Sequence, residues 1–248
     1  MKVYFDNRFY ENYSGDPAAA AGRMEAIMDT IAAEVELVAP SPASLMDISA
    51  VHSKNHINHV RNQGLYEIAA LAAGGALAAA EVGLSEPGFG LIRPPGHHAS
   101  ADSAWGFCFF NNIAIALESL KRKEKIQTAF VLDFDLHFGD GNVNILGHQD
   151  YVNILNPEST SRDAYLKEIE TALDACQADI IAVSAGFDNH MQDWGGLLST
   201  DDYRQIGKMV RQAAQRCGGG CFGILEGGYN HAVLGQNVLA FIHGLDGI

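Results

Sequence analysis

Short, nearly uninterrupted apolar runs alternate along this chain with longer stretches in which apolar and polar positions are mixed. The runs read as strands at Lys2–Phe5, Val35–Val38, Phe89–Ile92, the segment opening at Phe130, Tyr151–Leu155, Asp179–Ala185 and Cys221–Leu225. The longer stretches read as helices over Pro17–Glu34, a histidine-bearing segment before Leu65, then Leu65–Gly83, Phe107–Leu120, Ser161–Ala175, Asp201–Cys217 and His231–His243. Asp16 suits the N-cap of the first helix and Pro17 its first position, where a missing N–H costs nothing. The Gly74–Gly75 pair inside an Ala-rich helix predicts close approach of another element. Strands that alternate with helices, and that are apolar on both sides, predict an α/β fold: one parallel sheet with helices on both faces. No repeat, low-complexity tract or linker interrupts residues 1–248, so a single domain is expected over that whole span.

The polar residues that matter stand where the strands end. The run from Phe130 breaks into Asp133-Phe134-Asp135-Leu136-His137-Phe138-Gly139-Asp140-Gly141. Were the backbone to stay extended, Asp133, Asp135 and His137 would project to one side, giving two carboxylates and an imidazole suited to a divalent cation, zinc first. Alone, the cluster reads equally well as polar residues ending a strand before a Gly-rich turn. Phe89–Ile92 likewise runs into Arg93-Pro94-Pro95-Gly96-His97-His98, where two prolines hold a histidine pair in place. Asp179–Ala185 ends in Gly186-Phe187-Asp188, and Cys221–Leu225 in Glu226-Gly227-Gly228-Tyr229. In open α/β sheets ligands bind at the carboxyl ends of the strands, so several polar strand ends of this kind favour a functional rim. His52, His56 and His59 have helical spacing but no carboxylate or cysteine to complete a ligand set, and are read as surface or packing histidines.

Composition narrows the partners. A 48% hydrophobic share with 26 glycines and 7 prolines fits a globular protein, and a net charge of −14 opposes nucleic acid and anionic membranes. With no long apolar segment at Met1–Asp6 or elsewhere, a cytoplasmic location is expected. The four cysteines follow no zinc-knuckle spacing, and Cys217 and Cys221 around three glycines read as small residues at a tight turn.

With those strand ends set side by side, the sequence resembles the metal-dependent histone deacetylases, a family that includes acetylpolyamine amidohydrolases and shares the arginase/deacetylase fold. The matching stretches are Arg93–Ala99, Gly106-Phe107-Cys108 with Asn111-Asn112, Asp133–Gly141, Ser184–Asp188 and Leu225–Asn230, in family order. The resemblance implies that Asp135, His137 and Asp188 ligate zinc or iron(II). It implies that His97 and His98 are paired active-site histidines, with Asp133 and Asp140 as their carboxylate partners. Tyr229 would donate its hydroxyl to the substrate carbonyl, reached through the Gly227–Gly228 turn. Gly106, Phe107, Trp194 and Gly228 would line the substrate channel, and a structural potassium ion would sit near Asp133, Asp135 and His137. The implied reaction is removal of acetyl or another short acyl group from lysine side chains or small amines. Chemically the set is coherent: two carboxylates cancel the ion's charge and acidify its water less than three histidines would, so a separate neutral base near its ordinary pKa, His98, is useful.

The chain departs from that family in ways that bear on its pocket. Phe138 stands where members carry a second histidine, and only Asn156–Arg162 replaces a long loop that brings a second aromatic wall. A loop before Leu65 that usually carries an acidic grip on the substrate is also short. A more open pocket, or one completed by a partner copy in a homo-oligomer, is expected. Trp194 falls where polyamine-selective relatives carry an acidic residue, which weighs against a polyamine specialist, although an aromatic there also serves as packing. Two other readings stand beside the deacylase: a catalytically weak acyl-group binding module, and a two-manganese arginase-type ureohydrolase, which would need a second Asp-rich motif.

Overall fold

The computed structural model describes residues 1–248. Seven parallel strands form one sheet in the order β2-β1-β3-β7-β6-β4-β5. They are β1 Lys2–Tyr4, β2 Glu36–Val38, β3 Gly88–Gly90, β4 Ala129–Asp133, β5 Val152–Leu155, β6 Ile180–Ala185 and β7 Gly220–Leu225. The α-helices are α1 Arg23–Ile31, α2 Leu45–Ser49, α3 Lys54–Asn62, α4 Tyr66–Gly83, α5 Asn112–Arg122, α6 Asp140–Leu146, α7 Arg162–Ala175, α8 Thr200–Cys217 and α9 His231–Asp246. Strands β3, β4, β6 and β7 are buried almost throughout, as a sheet covered on both faces requires.

Successive strand residues point to opposite faces, and β7 shows what covers each. A Cβ on Gly83 of α4 would meet the Phe222 side chain, whereas one on Gly223 would meet Phe241 of α9. Helix α4, with α5 beside it, therefore covers one face, and α8 and α9 the other, with α1 packed on α9 and α7 on α8. The glycine pair in α4 does what its sequence predicts: a Cβ on Gly74 would strike the Ser41 carbonyl, and one on Gly75 the Ile92 side chain.

Two expected helices begin later than their sequence suggests. Pro17–Ala19 is a single 3-10 turn capped by Asp16, and α1 starts only at Arg23, because Gly22 takes a left-handed conformation (φ 84°) between them. Phe107–Phe110, expected as the first turn of a helix, is instead loop; Gly106 (φ 57°) and Phe107 (φ 68°) are both left-handed, and α5 begins at Asn112 with Asn111 as its cap. The third difference is α6, a helix over Asp140–Leu146 that the Gly-rich sequence does not announce.

Candidate metal centre and active site

Strands β3, β7, β6 and β4 are neighbours in the sheet, so their carboxyl ends bring His97–His98, Glu226–Tyr229, Asp188 and Asp133–Asp140 to one rim. Four segments far apart in sequence meet because the strand order places them together.

The backbone after β4 does not stay extended, which corrects the simple alternation. It turns instead through two side-chain contacts, Asp133 Oδ1 accepting from the Asp135 N–H (3.3 Å) and Asp135 Oδ1 from the His137 N–H (2.9 Å). The turns separate the carboxylates. Asp133 faces His97 (Oδ2 to Nδ1 3.2 Å), while Asp135, His137 and Asp188 bring one ligand atom each within 4.8 Å of the others.

Every oxygen of that trio but one has a backbone donor. Asp135 Oδ2 accepts from the Gly227 N–H (2.8 Å) and Asp188 Oδ1 from the Leu136 N–H (3.0 Å). Asp188 Oδ2 is buried without a hydrogen bond; it lies 3.1 Å from His137 Nδ1, but off the ring's bonding direction. A buried carboxylate oxygen left bare costs free energy unless a cation faces it. Burial, together with the neighbouring Asp135, pushes the Asp188 carboxyl up to about 6. The contacts of His137 with Asp135 and Asp188 hold its ring proton up to about 10. The trio thus favours positive charge between its atoms, and its two oxygens and one nitrogen suit zinc or iron(II). The residues fit the ion.

The histidine pair beside the trio is divided by its surroundings. His97 is buried; burial alone would discharge it, but Asp135 and Asp133 outweigh that and raise its pKa well above the usual value. His98 goes the other way, lowered to about 4 by burial and by the charge on His97, against the pull of Asp140. Its Nδ1 lies 2.7 Å from Asp140 Oδ1, no protein group takes its Nε2, and its ring lines a cavity of about 100 Å³. The ordinary pKa expected for His98 is therefore corrected downward, and the ring is neutral at pH 7.

Tyr229 lines the same cavity, and burial with Asp135 nearby raises its pKa, so it keeps its proton. Gly228 turns the chain ahead of it (φ 114°), with its carbonyl held by Arg23 Nε at 2.8 Å; it is Gly227 that reaches the cavity wall. Gly106, Phe107, Trp105 and Trp194 complete the lining. Phe107 meets Tyr229 edge-on (6.0 Å between centroids) and Trp194 stacks on it (4.1 Å, 27°). The expected gap in the aromatic wall is thus flanked by Trp105 and Trp194 of the same chain. The short connection after β5 lines a separate cavity of about 300 Å³, together with Asp135, Leu136 and half-exposed Phe138.

Sequence reasoning passed over the residues that hold this set. Asn142 Nδ2 donates to Asp133 Oδ2 (2.9 Å) and Ser184 Oγ (3.1 Å). Buried Glu226 accepts the backbone N–H groups of Gly96 (2.7 Å) and His97 (3.3 Å). A buried-acid signal was present in Glu226-Gly-Gly, next to an apolar strand, but nothing local to Asn142 pointed to its role.

Comparison with known proteins bears on the family and the fold. The histone deacetylase domain matches residues 60–165 and 144–245. A probable deacetylase of Methanothermobacter thermautotrophicus is 33% identical, over 92% of this chain and 85% of its own length. A histone deacetylase-like amidohydrolase of Pseudomonas aeruginosa is 30% identical over 94% of this chain and 79% of its own. The crystal structure of the HDA15 HD domain superposes with a TM-score of 0.85 at 23% identity, covering 99% of this chain and 89% of that one, a likeness of fold. No helix is long and apolar enough to cross a membrane. On its sequence matches and its arginase/deacetylase-like sheet, the chain belongs to the histone deacetylase family.

Proposed function

We propose that residues 1–248 act as one metal-dependent amidohydrolase domain that removes acetyl or another short acyl group from lysine side chains or small acylated amines. The observation that carries this reading is the buried, unpartnered Asp188 Oδ2 facing Asp135 and His137 beside a neutral His98. Asp135, His137 and Asp188 would hold zinc or iron(II), which when bound supplies Lewis acidity toward a carbonyl and a water. His98 Nε2, free and turned to the cavity, accepts the proton of the attacking water and returns it to the leaving amine. Asp140 keeps the other proton on Nδ1, so the tautomer is the one the base needs. His97, charged between Asp133 and Asp135, adds positive charge where the oxyanion develops, and the Tyr229 hydroxyl donates to it. Phe107, Trp105 and Trp194 keep water from the acyl group.

A cavity of about 100 Å³ suits an acetyl group better than a long acyl chain. The potassium ion belongs to the same reading, and a rise in Tm with KCl but not with NaCl would support it. The test is acid release from acetyl-lysine peptides, acetylputrescine, acetylspermidine and longer acyl-lysines by zinc-loaded protein. Turnover abolished by a chelator and sharply lowered by His98→Ala is expected, with acetyl substrates ahead of longer ones. One zinc per chain with no turnover on any substrate would favour an acyl-binding module instead.

A further inference from the structure

The exposed indole of Trp105 touches both members of the His98–Asp140 pair. Its Nε1–H donates to Asp140 Oδ2 at 2.9 Å, while Asp140 Oδ1 lies 2.7 Å from His98 Nδ1. Its ring also lies flat over the His98 ring, with centroids 3.8 Å apart and planes at 30°. Core packing does not account for this placement, because Trp105 remains 56% exposed.

The companion pair explains what the indole does. The carboxylate of Asp133, whose Oδ2 faces His97, takes a further N–H on that oxygen from the Asn142 side chain and one on Oδ1 from the Asp135 backbone, deep in the core. Asp140 stands at the rim with a 36% exposed side chain, where water would compete for it. There the second N–H comes from a loop side chain, Trp105. The left-handed turn at Gly106 and Phe107 delivers that loop; a Cβ on Gly106 would strike His98 Cδ2, so the loop is fitted to the ring it covers.

We propose that Trp105 is a positioning residue for His98, acting through Asp140: its N–H anchors the carboxylate and its ring fixes the imidazole with Nε2 turned to the cavity. The inference rests on the deacylase reading for its effect on rate, but not for its effect on the hydrogen bond. Trp105→Phe keeps a ring over His98 and removes only the N–H, whereas Trp105→Ala removes both.

Two measurements on zinc-loaded protein test it. In the first, the downfield proton resonance of His98 Nδ1–H, identified by its loss in His98→Ala, is followed by NMR. Trp105→Phe should move it and Trp105→Ala should lose it to exchange with water, with metal content unchanged. In the second, Trp105→Phe should lower kcat about tenfold, as loss of one hydrogen bond to a charged group does, yet change it less than about twofold in an Asp140→Ala background. A resonance unmoved in both variants, or an equal kcat loss in both backgrounds, would overturn the proposal. A resonance that depends on Trp105 in a protein without turnover on any amide would instead keep the positioning role and sink the deacylase reading.

Discussion

Two pairs of buried histidines stand in this protein, and their partners differ in kind. His52 and His56, next to and within α3, have ring centroids 5.0 Å apart and are each only 3% exposed, as are His97 and His98 with centroids at 4.0 Å. His52 spends both nitrogens on backbone, Nδ1 on the Ser100 carbonyl (3.0 Å) and Nε2 on the Asn111 N–H (2.8 Å); His56 Nε2 meets the Phe109 carbonyl. Those rings tie down the middle and the C-terminal end of the loop between β3 and α5. At the rim each Nδ1 faces a carboxylate; His97 Nε2 lies 3.7 Å from a second one, Asp135, and no hydrogen bond occupies His98 Nε2. Burial does not separate a structural histidine from a chemical one here. The partner does, because a backbone amide and carbonyl lock both nitrogens of His52 whereas the carboxylate of Asp140 leaves one nitrogen of His98 free.

The comparison breaks if the wrong pair carries the activity. The largest effect belongs to Asp188→Ala, expected to abolish both zinc binding and turnover, as metal content and acid release would show. His98→Ala should keep its zinc and lose roughly 10²–10⁴-fold in kcat, the range of a general base. Tyr229→Phe should cost about 10²–10³-fold, as loss of one oxyanion donor does, with metal content unchanged.

His52→Ala sharpens the contrast from the other side. It leaves a buried N–H and carbonyl without partners, so we expect a loss of about 2–4 kcal/mol in stability, read as a Tm lower by roughly 5–15 °C. The activity of the folded fraction should stay within a few-fold. Its pH dependence has a definite sign. Burial first, then the neighbouring His56, lowers the His52 pKa from 6.5 to about 4. The unfolded chain therefore binds a proton between those values that the folded chain refuses. The stabilisation is whole above pH 6.5 and lost as the pH falls toward 4, in all about 3 kcal/mol. Urea unfolding at pH 7 and pH 4.5 should show this loss in the unmutated protein and a smaller one in His52→Ala. An identical loss in both would assign the acid sensitivity elsewhere.

How far the sequence alone reached follows the same division. The strands and the rim residues were legible because buried parallel strands are apolar runs, and their ends change character abruptly at His97, Asp133, Asp188 and Tyr229. His52 and His56 were legible only as surface or packing histidines, from the lack of a carboxylate or cysteine to complete a ligand set. The left-handed turn at Gly106–Phe107 was not, since tertiary contact with His98 overrides the apolar helical pattern there. Nor were Asn142 and Trp105, whose roles depend on strand ends that meet only in the folded sheet. The charge difference between His97 and His98 was also hidden, because it arises from Asp135 reaching one ring more than the other.

The most direct measurement is acid release from an acetyl-lysine peptide by zinc-loaded unmutated protein, His98→Ala and His52→Ala, at a temperature where all three are folded. One zinc per chain is expected in each, with turnover in the unmutated protein and in His52→Ala, and turnover lower by roughly 10²–10⁴-fold in His98→Ala. Turnover in His98→Ala within tenfold of the unmutated protein would contradict the role of His98 as the base.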